Sequence, residues 1–193
     1  MTTARRGARA PSTTAGPVRH LALLRGLNVG GANRLAMADL RQAFEAAGAD
    51  RVETVQAAGN VLFDAPPARL AAIAKGVEAA LVRRGVGSTL VLRGAAELRA
   101  AAAAHPFLTR GAVPARCYVA FLAAAPTAAA AASLEPDRSP PDVFEVRDRE
   151  VYLWLPNGAA RTRITTAWLD ARLGTVSTVR GWATVLALAE RLG

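Results

Sequence analysis

From residue 20 onward, short apolar runs alternate with segments whose apolar residues recur at helical spacing, and this alternation limits the folds open to the chain. In the first part of the chain the predicted strands are 21–24, 52–55, 61–63 and 89–92. The residues that share one face of the two predicted helices between them are Met37, Leu40, Phe44 and Ala47, then Leu70, Ile73, Val77 and Leu81. The order βαββαβ predicts an α+β fold with a ferredoxin-like, split-βαβ unit.

The second part of the chain repeats this order less clearly. A helix over 95–104, a strand over 116–122, a helical stretch over 127–134 and a hairpin of 143–146 with 151–154 are indicated. A helix around Trp168 and a last helix over 179–192 follow. We therefore expect a disordered tail (1–18), a ferredoxin-like subdomain (19–94) and a second, incomplete and related α+β subdomain (95–193).

The charge of the chain has two explanations. The formal net charge is +9, and all the basic residues except Lys75 are arginine, which is typical of a GC-rich genome. Removing residues 1–19 leaves 20 basic against 15 acidic residues, a net charge of +5. This is weaker than the clustered charge of a dedicated DNA binder, so compositional bias is favoured over a nucleic-acid surface.

Several classes of protein are disfavoured by what the sequence lacks. Cys117 is the only cysteine, so neither an internal disulfide nor a zinc-binding cysteine cluster is possible, and its apolar run favours a buried structural thiol. His20 and His105 lie in no catalytic signature. No apolar run is long enough for a membrane helix, and residues 1–18 lack the apolar centre of a secretory signal. We expect a soluble cytoplasmic protein with no cofactor, no metal site and no assignable catalytic residue.

The turn after the first predicted strand is the strongest candidate for a binding site. It is rich in glycine and asparagine, and its candidate ligand-binding residues are Arg25, Asn28, Gly30, Gly31 and Asn33. Backbone amides beside a helix start can hold an anion, and an arginine can clamp phosphate or carboxylate. The turn has neither the lysine and serine of a Walker loop nor dinucleotide-binding spacing. The alternative is a loop whose glycines serve geometry alone.

Two further segments could contribute to such a site. Gly59 and Asn60 form a hairpin turn, for which ordinary turn chemistry is the favoured explanation. Thr178, Arg180 and Trp182 precede the last predicted helix, where an anion could again bind. The alternative there is a helix cap made by Ser177 or Thr178, with Trp182 buried as a lid.

At these residues the chain resembles the bacterial family catalogued as domain of unknown function 1697, from about residue 20 to the end. The most specific part is Leu23-Leu24-Arg25-Gly26-Leu27-Asn28-Val29-Gly30-Gly31, followed by Asn33 and Met37. Further matching segments are Gly59-Asn60-Val61-Leu62-Phe63, His105-Pro106-Phe107 and Thr178-Val179-Arg180-Gly181-Trp182-Ala183-Thr184-Val185. The resemblance implies an α+β fold of ferredoxin-like character and no established activity.

Three departures remove polar groups from these segments. The family usually has lysine where this chain has Ala32, Gln-Ser at Ala57-Ala58, and asparagine at Gly181. If the family binds a ligand here, this member would bind it more weakly or not at all.

Three hypotheses about function follow. The first is a binding module for an anionic, phosphate-bearing ligand, either a small molecule or nucleic acid, held by the loop over 25–33. The second is a structural protein or one that binds a protein partner. The third is a small-molecule enzyme of unknown class, which lacks an evident general base. The sequence does not decide whether the protein is an enzyme, what its ligand is, or what its oligomeric state is.

Overall fold

The structure is a computed structural model, and it describes residues 16–28, 34–103 and 105–193. It is a mixed α+β protein with two four-stranded antiparallel sheets and helices packed on them. Residues 1–15 of the predicted tail (1–18) and the loop residues Gly30, Gly31 and Asn33 lie outside the described residues. Within the described ranges, no helix is both long and apolar enough to cross a membrane.

The first sheet, called sheet A, has the strand order β2-β3-β1-β4. Its strands are β1 (Val18–Leu24), β2 (Asp50–Val55), β3 (Asn60–Ala65) and β4 (Leu90–Gly94). Helices α1 (Met37–Ala46) and α2 (Leu70–Arg83) pack on its outer face. Along β1, Ala22 and Leu24 face these helices, whereas Leu21 and Leu23 face the opposite side. A strand buried on both faces has no polar alternation, which explains the continuous apolar run.

The second sheet, called sheet B, has the same strand order, β6-β7-β5-β8. Its strands are β5 (Cys117–Leu122), β6 (Val143–Arg147), β7 (Glu150–Trp154) and β8 (Ser177–Gly181). Helix α4 (Ala128–Ala132) is short, and α5 (Thr166–Leu173) covers the outer face through Leu169 and Leu173.

A central core is shared by the inner faces of both sheets and by two helices. Helix α3 (Ala95–Ala103) follows β4, and helix α6 (Trp182–Leu192) follows β8. Leu98 from α3 and Leu188 from α6 are fully buried there. Cys117, at the start of β5, is 1% exposed, and burial raises the pKa of its thiol, which confirms the prediction of a buried thiol.

The end of the chain differs from the prediction of one helix over 179–192. Residues Ser177–Gly181 form an edge strand that pairs antiparallel with β5, and the helix begins only at Trp182. The β-branched Thr178 and Val179 favour a strand, and Gly181 occupies the N-cap of α6 without a side-chain hydrogen bond. The fourth strand also corrects the expectation that the second copy is incomplete.

Candidate functional site between the two sheets

Arg180 is a buried cation that joins the two sheets. It lies on β8, is 9% exposed, and its Nε donates to Asn60 Oδ1 of sheet A at 2.6 Å. The other acceptors are Thr178 Oγ1 at 2.8 Å, Val179 O at 2.9 Å, Leu24 O at 2.9 Å, Ala58 O at 3.2 Å and Gly59 O at 3.3 Å. The guanidinium therefore joins β8 by hydrogen bonds to the end of β1 and to the β2–β3 turn.

All the acceptors of Arg180 are electrically neutral. Within the ranges that the structure describes, no carboxylate pairs with it. Burial lowers the pKa of Arg180 to about 10, so the side chain is still protonated at neutral pH. The site therefore holds a buried positive charge without a partner of opposite sign, an arrangement that proteins rarely leave uncompensated.

The β2–β3 turn is shaped to reach this arginine. Asn60 is 1% exposed, and its Nδ2 donates to Val55 O at 3.1 Å while its Oδ1 accepts from Arg180. Gly59 has φ +69°, and a Cβ there would lie 2.8 Å from Leu24 Cβ. Both candidate turn residues thus allow a close approach of turn, strand end and arginine, and neither points a free polar group outward.

Arg25 holds the end of β1 against helix α5. Its Nη1 forms an ion pair with Asp170, and its Nη2 donates to Thr166 Oγ1 at 3.4 Å. Asp170 also accepts from Ser177 N at 2.8 Å and from Ser177 Oγ at 2.6 Å. Ser177 is therefore a buried strand residue bonded to a carboxylate, and the alternative of a helix cap at Ser177 or Thr178 is wrong.

Asn28 closes its own loop. It has φ +57°, its Nδ2 donates to Leu35 O at 3.2 Å and to Ala57 O at 3.1 Å, and Leu35 N donates back to its Oδ1 at 2.9 Å. These bonds use the amide group of Asn28 to join it to Leu35 and to the β2–β3 turn, so the side chain serves to hold the backbone in place.

A cavity of about 470 Å³ lies where these elements meet. Its lining residues are Leu24, Arg25, Gly26, Leu27, Gln56, Ala58, Thr166, Thr178, Val179, Arg180, Gly181 and Thr184. The structure thus brings Arg25, Thr178 and Arg180 to one cavity, although 155 positions separate Arg25 from Arg180 in the sequence. Cavities of this size are typical of small-ligand sites.

Trp182 belongs to a different place. It is 5% exposed, lies in the central core with its ring centroid 5.1 Å from that of His105, and lines a second, mostly apolar cavity beside Cys117. It is absent from the lining of the first cavity.

A second buried arginine occupies the equivalent place in sheet A. In the strand registers, Arg93 pairs with Leu21 as Arg180 pairs with Val119. The acceptors of Arg93 are Glu150 Oε1 at 2.8 Å, Leu92 O at 2.8 Å, Leu122 O at 2.9 Å and Arg149 O at 2.8 Å. Each arginine therefore reaches from its own sheet to the other, and the two arrangements are related by approximate two-fold symmetry.

The two arrangements differ in charge. Glu150, which pairs with Phe121 across β5–β7, takes the place of Asn60, which pairs with Leu23 across β1–β3. Burial lowers the pKa of Arg93 and raises the pKa of Glu150, each opposed by the attraction of its partner. Arg93 therefore has a counter-charge that Arg180 lacks.

Sequence reasoning missed Arg93, Glu150 and Asp170. Glu150 lies at the turn of the β6–β7 hairpin, yet it pairs with an arginine that is 1% exposed. One signal was present: both last strands end in Val/Leu-Arg-Gly, at Leu92-Arg93-Gly94 and Val179-Arg180-Gly181.

The fold and the cavity define an α+β protein with two antiparallel sheets of the same strand order. A buried arginine of each sheet donates hydrogen bonds to the other sheet. The chain belongs to the family described as protein of unknown function (DUF1697), whose model matches residues 18–152. A solved structure, that of the conserved bacterial protein SP0830 from Streptococcus pneumoniae, is similar with a TM-score of 0.67 and 23% sequence identity. The similarity covers 92% of this chain and 100% of that one, and it shows a shared fold. No curated protein matches the chain.

Proposed function

We propose that the protein is a binding module for an anionic, phosphate-bearing ligand, which it holds in the cavity between the two sheets. The observation that carries this proposal is the buried, protonated Arg180, whose hydrogen bonds all go to neutral groups. An anion in the adjacent cavity would supply the missing counter-charge in a place where water screens little.

The roles of the two arginines differ. Arg180 has its donors occupied, so it acts through its charge. Arg25 lies on the cavity wall with its side chain 31% exposed, so it can contact the ligand directly. The hydroxyls of Thr166 and Thr184 and the amide of Gln56 line the same cavity and offer hydrogen-bond donors.

We further propose that the chain consists of two ferredoxin-like subdomains, 19–94 and 95–193. The support is the order βαββαβ in each and the identical strand order of the two sheets. The ligand would then lie between the subdomains, a common place for small-molecule sites.

The test is a ¹H–¹⁵N NMR titration of the full chain with AMP at pH 5, where its phosphate group is mostly singly charged, against sodium chloride at matched ionic strength. We expect amide shifts around residues 24–27, 56–58 and 178–184. Arg25→Ala removes a positive charge and leaves Asp170 unpaired, so AMP should bind at least about tenfold more weakly. The matched control is Arg172→Ala, on the same helix as Asp170. Arg172 forms a partly exposed ion pair with Glu135, and neither residue lines the cavity.

One observation favours a second candidate, a purely structural role for these residues. The bonds of Arg180 to Asn60 and Leu24 join the sheets without any ligand. If Arg25→Ala lowers stability and AMP leaves every amide unshifted in the wild-type chain, the structural role is supported and the binding proposal is wrong.

A further inference from the structure

The symmetry of the two arginine sites shows which side chains the cavity lacks. Arg149, one residue before Glu150, donates to Glu97 Oε1 at 2.7 Å, Leu92 O at 3.3 Å and Ala123 O at 3.1 Å. In the strand registers, Gly59 corresponds to Arg149, since Asn60 corresponds to Glu150. Gly59 has no side chain, so nothing equivalent to the arginine enters from this position.

The cavity occupies the space that corresponds to the Arg149 guanidinium. Val179 corresponds to Leu92, and Arg25 corresponds to Ala123. Both Val179 and Arg25 line the cavity. One site of the pair is therefore filled by a side chain of the protein, and the other is open to a ligand.

The carboxylate that accompanies Arg149 is also missing from the cavity. Glu97 lies three residues after Gly94, at the third position of α3, and its Oε2 accepts from Gly94 N at 2.9 Å. The corresponding residue on α6 is Thr184, three residues after Gly181, and it lines the cavity. Asn60 and Thr184 thus stand at two positions where the other site carries glutamates.

Among the described residues that line the cavity, a single positive charge is left without a counter-charge. Arg25 and Asp170 cancel each other as an ion pair, and Arg180 remains. In the other site Glu150 offsets Arg93 and Glu97 offsets Arg149, so no net charge remains.

Resting on the proposed function, we propose that the cavity takes a singly charged oxyanion, and among phosphate-bearing ligands a phosphodiester rather than a phosphate monoester. One negative charge matches the charge of Arg180. A second negative charge on the same group would lie close to the Asp170 carboxylate without a cation of its own, and such burial is costly. Asn60 and Thr184 determine this preference, because a carboxylate side chain at either position would itself neutralise the charge of Arg180 and leave none for a ligand.

The first test compares dimethyl phosphate with methyl phosphate by NMR titration of the full chain at pH 5 and pH 8. Dimethyl phosphate carries one charge at both values, whereas a monoester gains its second charge near pH 6. We expect the Kd of dimethyl phosphate to be equal at both pH values within about twofold. Methyl phosphate should bind about tenfold more tightly at pH 5 than at pH 8.

Each outcome of this titration bears on the proposal. Methyl phosphate binding at pH 8 as tightly as the diester would overturn the preference and leave the proposed anion site standing. Shifts with neither phosphate would overturn both. Acetate is titrated in parallel, and it should have the same Kd as dimethyl phosphate if charge alone determines binding. A lower Kd for dimethyl phosphate would identify the ligand as a phosphate.

The second test uses Thr184→Glu with Thr184→Gln as the size-matched variant. A glutamate at this third helical position can accept from Gly181 N as Glu97 accepts from Gly94 N, so we expect the variant to fold with an unchanged or raised Tm. Dimethyl phosphate should bind to Thr184→Glu at least about tenfold more weakly than to Thr184→Gln. Equal binding by the two variants would show that the charge of Arg180 does not govern the cavity.

Discussion

Arg93 and Arg180 occupy equivalent places and make equivalent bonds, yet their surroundings differ in charge. Both donate to the carbonyl of the preceding residue and to the last carbonyl of the central strand in the opposite sheet, Leu122 O and Leu24 O respectively. Glu150 completes one site and Asn60 the other. The same hydrogen-bond frame therefore serves as a closed structural contact at one site and as an open cationic site at the other, depending on the side chains placed around it.

The two sites also differ in how the loss of hydration of the buried arginine is offset. At Arg93, charge attraction offsets the loss of hydration of both ions, a balance that is often near zero in total. At Arg180, neutral acceptors offset the loss of hydration only in part, which is why burial alone lowers its pKa. The first site is thus sensitive to the loss of either partner, and the second is sensitive to added negative charge.

The largest effect on stability should come from Arg93→Met. It leaves Glu150 buried without its partner, so we expect a loss of about 3–5 kcal/mol in the free energy of unfolding, measured by urea denaturation. Arg180→Met should cost less, since it leaves neutral acceptors unpaired and also removes a buried charge. Equal losses for the two variants would break the comparison. Arg172→Met, at a partly exposed ion pair, should cost less than about 1 kcal/mol.

Gly59→Ala should have the next largest effect. The residue has φ +69°, and the new Cβ would lie 2.8 Å from Leu24 Cβ, so strain and overpacking combine to a loss of about 2–4 kcal/mol. Gly174→Ala is the control, because φ is +66° there and a Cβ meets nothing within 4 Å. Its cost should be about 1–2 kcal/mol, from backbone strain alone. Equal losses would show that the approach of the turn to Leu24 is unimportant.

Glu150→Gln would convert the Arg93 site into the Arg180 type. The hydrogen bond from Arg93 Nε is kept and its charge attraction is lost, so we expect a loss of about 1.5–3 kcal/mol by urea denaturation. Because Arg149 fills the space beside it, the variant should gain no binding of dimethyl phosphate. A new anion site in this variant would mean that the open space around Arg180 is not needed.

The smallest effect concerns pH and the core that both sheets share. Burial lowers the pKa of His105, whose Nε2 lies 3.2 Å from Tyr118 O, so the folded state favours the neutral ring. The unfolded chain takes up the proton below the ordinary value of 6.5, and stability therefore falls as the pH drops through that value. We expect a loss of about 1 kcal/mol or less between pH 7 and pH 5.5. His105→Gln should remove this part of the pH dependence, and an unchanged pH profile would contradict the prediction.

Much of the fold was predictable because it follows from local pattern. The apolar run of β1 and the helical spacing of Leu40 and Phe44 identify their elements without reference to the rest of the chain. The helix predicted over 179–192 includes the last residues of the strand Ser177–Gly181, since the apolar residues of that strand continue directly into those of α6. Antiparallel pairing with β5 makes this segment a strand.

The candidate site was predictable only in part. Arg25, Thr178 and Arg180 are predicted from the sequence as ligand-binding residues, and they do line one cavity. Asp170 and Glu150 did not, because nothing near them in sequence indicates a partner. The carboxylate of Asp170 meets an arginine 145 residues away, and that of Glu150 one 57 residues away.

The sequence by itself determined most of the order of strands and helices, the apolar faces, the tight turn at Gly59 and the presence of arginine before glycine at Arg93-Gly94 and Arg180-Gly181. These depend on backbone preference and on the spacing of apolar residues along a few turns or strands. Only the tertiary structure decided that Arg93 meets a carboxylate and Arg180 an amide. The physical reason is that pairing and burial of a charge depend on which distant groups the packed sheets bring within hydrogen-bond distance, and neighbouring residues carry no record of that.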